Sequence, residues 1–104
     1  MGMTNRRAVE GFVAQGEDER VAYRIDVTNW GNNPSNPSVK IYDEEEESED
    51  VSSMCLDGSA SVSGNVITTP LIQSLTRDHD YRVEVQFTIG GNTLECYLEI
   101  RGER

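Results

Sequence analysis

The stretch YRVEVQFTIGGNTLECYLEIR, residues 81–101, constrains the fold more than any other part of the chain. Tyr81, Val83, Val85, Phe87 and Ile89 alternate with Arg82, Glu84, Gln86 and Thr88. After Gly90-Gly91 the same period returns in Leu94, Cys96, Leu98 and Ile100. A period of two puts alternate side chains on opposite faces of a strand, and a Gly-Gly break between two such runs marks a β-hairpin. Charge fixes the turn length. A two-residue turn at Gly90-Gly91 pairs Phe87 with Leu94 and Val85 with Cys96 on one face, and Glu84 with Tyr97 and Arg82 with Glu99 on the other. A four-residue loop would oppose Glu84 to Glu99 and Arg82 to Arg101, and a three-residue loop would mix the faces. Like charges directly opposite are destabilising, so the two-residue turn is expected.

Shorter segments repeat the pattern. RVAYRIDVTNW places Val21, Tyr23, Ile25 and Val27 on one face and Arg24, Asp26 and Thr28 on the other, and GNNPSNPS follows as a turn. SVKIYD is a short strand with Val39 and Ile41 inward; VSSMCL and ASVSGNVITTPLIQSL read as two or three more, with Pro70 at an edge or a bulge. RAVEGFVAQ reads as a first edge strand interrupted by Gly11. No segment sustains a helical period. The expectation is an all-β fold, an antiparallel two-sheet β-sandwich of about seven strands. At 104 residues it forms one domain, with residues 1–6 flexible and residues 43–50 an acidic surface loop.

Nine Lys and Arg stand against nineteen Asp and Glu, a net charge of −10. Seven of those acids are Asp43, Glu44, Glu45, Glu46, Glu47, Glu49 and Asp50; without them twelve acids face nine bases. Nucleic acid is disfavoured as a partner, because phosphate binding needs clustered Lys and Arg and the only adjacent basic pair is Arg6-Arg7. No apolar run approaches the length of a spanning helix, so no membrane partner is expected. The start shows no apolar signal region, Met1-Gly2 is followed by Arg6 where a myristoylation motif wants Ser or Thr, and both Asn-Pro-Ser triplets carry the proline that forbids glycosylation. A cytoplasmic location is expected.

Candidate chemistry is sparse. His79, the only histidine, lies between Asp78 and Asp80 and could in principle act as a general base, but a surface loop histidine is the simpler reading. Cys55, His79 and Cys96 lack the close pairing of zinc ligands. Cys96 alternates with Leu94 and Leu98 as a buried small apolar residue, with a Cys55–Cys96 bridge as the alternative. GSASVSG lacks the nucleophile-elbow pattern, since Ala60 falls where the serine should be. For the acidic run three readings stay open: a solvated strand connection, an electrostatic contact with a basic partner, or calcium. The first is favoured, because DEEEESED has no glycine with which to wrap an ion. Outward-facing Tyr42 and Tyr97 could make a sugar platform. No catalytic residue, metal or cofactor is assigned.

LTRDHDYRVEV places Leu75 six residues before Tyr81, which opens a strand of alternating valines. The spacing resembles the Leu-x-Pro-Gly-Thr-x-Tyr-x-Val-x-Val stretch of fibronectin type III domains, and Trp30 matches that family's core tryptophan. Arg77, Asp78 and His79 depart from its Pro, Gly and Thr. A tyrosine at this corner closes the core of immunoglobulin-like sandwiches with a hydroxyl-to-backbone bond. Asp26, Thr28, Trp30, Tyr81, Val83 and Thr88 also resemble a pattern of small immunoglobulin-like proteins encoded among phage and prophage structural genes. That resemblance implies a non-enzymatic virion accessory or assembly role. A protein partner is expected to pair with the first or last strand as a sheet edge, and oligomerisation through edge strands is open. The alternative is a calcium- or carbohydrate-binding module of a cell-surface or carbohydrate-active protein.

Overall fold

The computed structural model describes residues 7–104; the expectations for residues 1–6, including Arg6 and the Met1-Gly2 start, lie outside the described residues. In chain order the strands are β1 (Arg7–Gly16), β2 (Arg24–Asp26), β3 (Ser35–Asp43), β4 (Glu49–Asp50), β5 (Leu56–Asp57), β6 (Ser61–Ser63), β7 (Val66–Thr68), β8 (Leu71–Ile72), β9 (Asp80–Ile89) and β10 (Asn92–Glu103). A single helical turn, α1 (Ser52–Cys55), lies between β4 and β5.

The hairpin is the centre of the molecule. β9 and β10 pair antiparallel with Phe87 opposite Leu94, Val85 opposite Cys96, Glu84 opposite Tyr97 and Arg82 opposite Glu99, the register that cross-strand charge requires. Gly90 and Gly91 turn the chain with φ of 56° and 85°, a pair of left-handed conformations that glycine adopts without steric cost. Inward residues Tyr81, Val83, Val85, Phe87, Cys96, Leu98 and Ile100 are all buried. Full burial of each large side chain contributes about 1.5–3 kcal/mol.

Two layers enclose that core. A five-stranded sheet runs β1-β10-β9-β3-β4, and opposite it lie a three-stranded β2-β7-β6 and a two-stranded β5-β8. The two smaller sheets are one layer bent at Thr69-Pro70. Residues 21–26 pair with β8 through the Val21–Ile72 bridge and with β7 through Arg24, Ile25 and Asp26. Between these, Thr69 N donates to Tyr23 O and Thr69 Oγ1 accepts from Tyr23 N. Proline has no N–H to continue the ladder, so the strand breaks where the sequence places Pro70. Ile25, Val27, Ile67 and Ile72 cover the core from this side. The architecture is all-β, predominantly antiparallel and sandwich-like.

Four expectations need correction. The fold is not wholly antiparallel, because β1 runs parallel to β10, with Val13 beside Ile100 and Gln15 beside Gly102. β10 is therefore an interior strand, and only β1 of the two chain-terminal strands lies at an edge. Gly11, with φ of 71°, marks the register shift between Arg7 and Phe12 that bends β1 onto its neighbour. Ten strands are present among the described residues instead of about seven, several only two or three residues long. Finally, VSSMCL opens as α1: Val51 and Cys55, four residues apart, are both buried, and Val51 O accepts from Cys55 N.

Candidate functional site

The acidic run is built into the sheet. Val39, Ile41 and Asp43 share the inward parity of β3, so Asp43 ends the strand only 5 % exposed. Its carboxylate accepts from His79 Nδ1 at 2.8 Å and from Glu45 N at 2.9 Å. Glu44–Glu46 make a 3-10 turn, Glu47 and Ser48 reverse the chain in left-handed conformations, and Glu49 and Asp50 return as β4 against Asp43 and Tyr42. The picture of one solvated loop over residues 43–50 is therefore corrected at Asp43, which the strand period carries into the interior. The carboxylates diverge onto donors of their own chain. Glu44 accepts from Ser48 Oγ, and Asp50 accepts from Ser52 N at 2.9 Å. Hydrogen bonds from Ser52 hold the Asp50 carboxyl below the usual carboxylate range. Glu45, Glu47 and Glu49 are exposed. Among the described residues no three His, Cys, Asp or Glu side chains form a group suited to a metal ion.

His79 is more than a loop histidine. Its side chain is 28 % exposed, pairs with Asp43 and lies 6.4 Å, ring to ring, from Tyr81. Sequence order draws attention to its neighbours Asp78 and Asp80, but neither forms the pair. Asp80 is held by Arg101 at 2.7 and 3.1 Å, which keeps its carboxyl below the ordinary range. The signal for the true partner was the parity of Val39, Ile41 and Asp43. Around the pair the nearby groups are poorly suited to nucleophilic work. Burial, with Asp43 adding to it, pushes the Cys55 thiol up, and burial likewise raises the Tyr81 hydroxyl. The pair ties the end of β3 to the corner that leads into β9.

At that corner Thr76 N donates to Tyr81 Oη at 2.7 Å, and Leu75 and Tyr81 are both buried. Asp78 N donates to Gly102 O, and Gly102 N donates to His79 O, each at 2.9 Å. A Cβ on Gly102 would stand 2.3 Å from Thr76 O, so only glycine lets β10 approach this closely.

The Asp26, Thr28 and Trp30 trio also has a structural role. Asp26 Oδ1 accepts from Thr28 N at 2.9 Å and from its hydroxyl at 2.5 Å, closing the turn after β2. Asn65 Nδ2 donates to Asn32 Oδ1, and Asn65 Oδ1 accepts from Asn33 N, which knits the following loop to the β6–β7 turn. Trp30 lies in a 3-10 turn, half-buried, edge-on to Phe87 with ring centroids 6.5 Å apart.

The outer face of the five-stranded sheet carries the two candidate tyrosines. The Arg82 guanidinium lies 3.8 Å above the Tyr97 ring and also pairs with Glu84 at 2.8 Å; Arg7 pairs with Glu99. The Tyr97 face is thus covered by a cation of its own sheet. Beside Tyr42 is a depression of about 210 Å³ lined by Ser38, Lys40, Tyr42, Glu84, Gln86 and Glu95. It is smaller than the ~300–1,000 Å³ of most small-molecule pockets. Cys55 and Cys96 are buried free thiols with no bridge between them.

The edges differ from these faces. β1 is a ten-residue edge strand whose outer side pairs with no strand among the described residues, and Phe12 on it is 46 % exposed. Beyond β4, the outer side of β3 is interrupted by Asn36 at φ of 52°, by Pro37 and by a register shift between Ser35 and Ser38. No family model matches the chain, and no curated protein matches it.

Proposed function

We propose that the chain is a non-enzymatic protein-interaction or structural domain with an immunoglobulin-like, fibronectin type III-like sandwich, acting as an accessory or assembly protein of a phage or prophage virion. The observation that supports the sandwich, and through it the resemblance, is the pairing of strand order with corner chemistry. The order β10-β9-β3-β4 against β2-β7-β6 corresponds to the G-F-C-C′ and B-E-D strands of variable-type immunoglobulin sandwiches. In that correspondence Tyr81 opens strand F, where the tyrosine corner belongs, and its hydroxyl bonds backbone at Thr76. One departure is clear: Val83 stands where antibody domains have their second cysteine.

What such a domain offers a partner is its edges and loops. The charged side chains of the outer face pair with one another: Arg82 with Glu84, Arg101 with Asp80, Arg7 with Glu99. Among the described residues no strand pairs with the outer side of β1, which offers Phe12 and Ala14 for strand addition, while Gly16 there is bonded to Glu19. Fold alone does not assign a role, so the test is location. Particles banded by density from cells that carry the gene are probed with an antibody raised against the chain. A fixed copy number per particle is the expected result; absence from intact particles and from assembly intermediates would refute the reading.

A further inference from the structure

The turn between β3 and β4 is held against its own chemistry. Glu47 and Ser48 take consecutive left-handed conformations, with φ of 56° and 58°, where glycine or asparagine is the usual occupant. Seven acidic residues crowd into positions 43–50, and β4 is only two residues long. Like-charge repulsion and backbone strain both favour an open form of this segment. Its anchors lie at the root. Asp43 Oδ1 accepts from Glu45 N, Asp43 Oδ2 meets His79 Nδ1, and Val51 N donates to Ile41 O at 3.0 Å.

Of these anchors, the bond from His79 is the one whose donor changes charge near neutral pH. The groups around the imidazole decide which of its forms the fold prefers. From β3 comes Asp43, nearly buried; from β9 come Asp80, whose charge is felt at the imidazole, and the Tyr81 ring. Arg77 and Asp78 adjoin it in the corner, and Glu44–Glu46 form the turn beyond Asp43. Arg101 of β10 is bonded twice to Asp80 and also feels Glu45. Cys55 of α1, beside Asp43, is kept a neutral thiol by burial. The hydrogen bonds of Asp43 come from His79 and from a backbone amide, so imidazolium is the cation that can answer its charge.

We propose that residues 44–50 form a proton-gated flap, shut while His79 is protonated and loosened as the imidazole loses its proton. Beside a nearly buried carboxylate, imidazolium makes a charge-assisted hydrogen bond where neutral imidazole makes an ordinary one. The folded chain therefore keeps the His79 proton to higher pH than the unfolded chain does. A group of this kind gives its full stabilisation below its unfolded value, about 6.5, and loses it as pH rises through the folded one. The depressed carboxyls Asp26, Asp50 and Asp80 act in the opposite sense, but only in acid. The flap is thus tightest in mildly acidic solution. Because β4 pairs with Tyr42 and Asp43, opening it bares that end of β3 as a sheet edge. This response goes beyond the interaction reading and does not depend on it.

The test is amide hydrogen exchange of the full chain, read by NMR from about pH 5.5 to about pH 8, the range in which histidine titrates. Rates are corrected for the intrinsic pH dependence of exchange, and the His79 ring resonances are followed in the same samples. The amides of Glu45 and Val51 report the root of the flap. Their protection is expected to lie below that of the β10 amides throughout. It is expected to fall by about tenfold across the range, the worth of one unit of difference in the imidazole titration. His79→Gln keeps a neutral donor at the site and is expected to abolish that fall in a folded chain. Asp43→Asn removes the charge and is expected to bring the imidazole midpoint down to that of the urea-denatured chain; should it fold poorly, the glutamine variant carries the test. Protection at Glu45 and Val51 that is constant with pH, or that falls equally in His79→Gln, overturns the gate. So does an imidazole midpoint no higher than in the denatured chain. Protection equal to that of the β10 amides would show no separate flap and overturns the proposal as well.

Discussion

Removing His79 should expose how much the molecule depends on its buried carboxylate. Asp43 is 5 % exposed and has two donors, His79 Nδ1 at 2.8 Å and Glu45 N at 2.9 Å. His79→Ala deletes one of them and leaves the carboxylate in place, which for a hydrogen bond to a charged group costs about 1.5–3 kcal/mol. Each kcal/mol moves the melting temperature of a domain near this size by about 4–8 °C, so the loss is easily read. Asp43→Asn should cost less, because its amide oxygen still accepts from Glu45 N. The double variant separates the pair from its surroundings. A coupling of about 1–2 kcal/mol in the cycle is expected for groups in direct contact. Denaturant melts of the four proteins at neutral pH, with a common slope, give the numbers. A cost below about 0.5 kcal/mol for His79→Ala, the range of ordinary surface changes, would refute the clamp.

Three further outcomes follow from the same geometry. Tyr81→Phe removes the acceptor of Thr76 N–H and should lower stability by about 1–2 kcal/mol without altering the denaturant slope. Burial pushes the Cys96 thiol up to about 11 and raises that of Cys55, so both should resist thiol reagents in the native state and react at the rate of opening; fast labelling of native protein would contradict their placement. Asp80 is held below the usual carboxylate range chiefly by its Arg101 hydrogen bond, Asp26 by Thr28 and Asp50 by Ser52. A carboxyl whose folded pKa is depressed stabilises above its unfolded value and loses that contribution as pH falls through the folded one. Melting temperature should therefore decline below pH ~4, and Asp80→Asn should flatten that decline; an identical acid limb in the variant would count against the pair.

The hairpin was legible because two independent signals agreed. Apolar alternation gave the faces, and the opposition of Arg82 to Glu99 chose one turn length among three. Pro70 was legible for the same kind of reason, since a missing N–H has only a few places in a sheet. The partner and direction of β1 were not. Alternation tells a strand's two faces but names no neighbour, and a parallel pairing of residues 12–16 with 99–103 spans nearly the whole chain. α1 escaped because one turn is too short to establish a helical period, although Val51 and Cys55 carry it. Asp43 was hidden by its company. Six other acids in eight positions made it look solvated, while the parity of Val39 and Ile41 had already assigned it to the interior.

If β1 is the sheet edge and β10 an interior strand, the backbone amides will report it. Amide hydrogen exchange of the folded chain, read residue by residue, is the direct measurement. The β10 amides, interior to the sheet, should exchange only with global unfolding. In β1 the outward amides of Phe12 and Ala14 should exchange faster than those of Val13 and Gln15, which face β10. Amides of β10 that exchange as fast as those of Phe12 and Ala14, in a chain otherwise folded, would contradict the strand order on which the account rests.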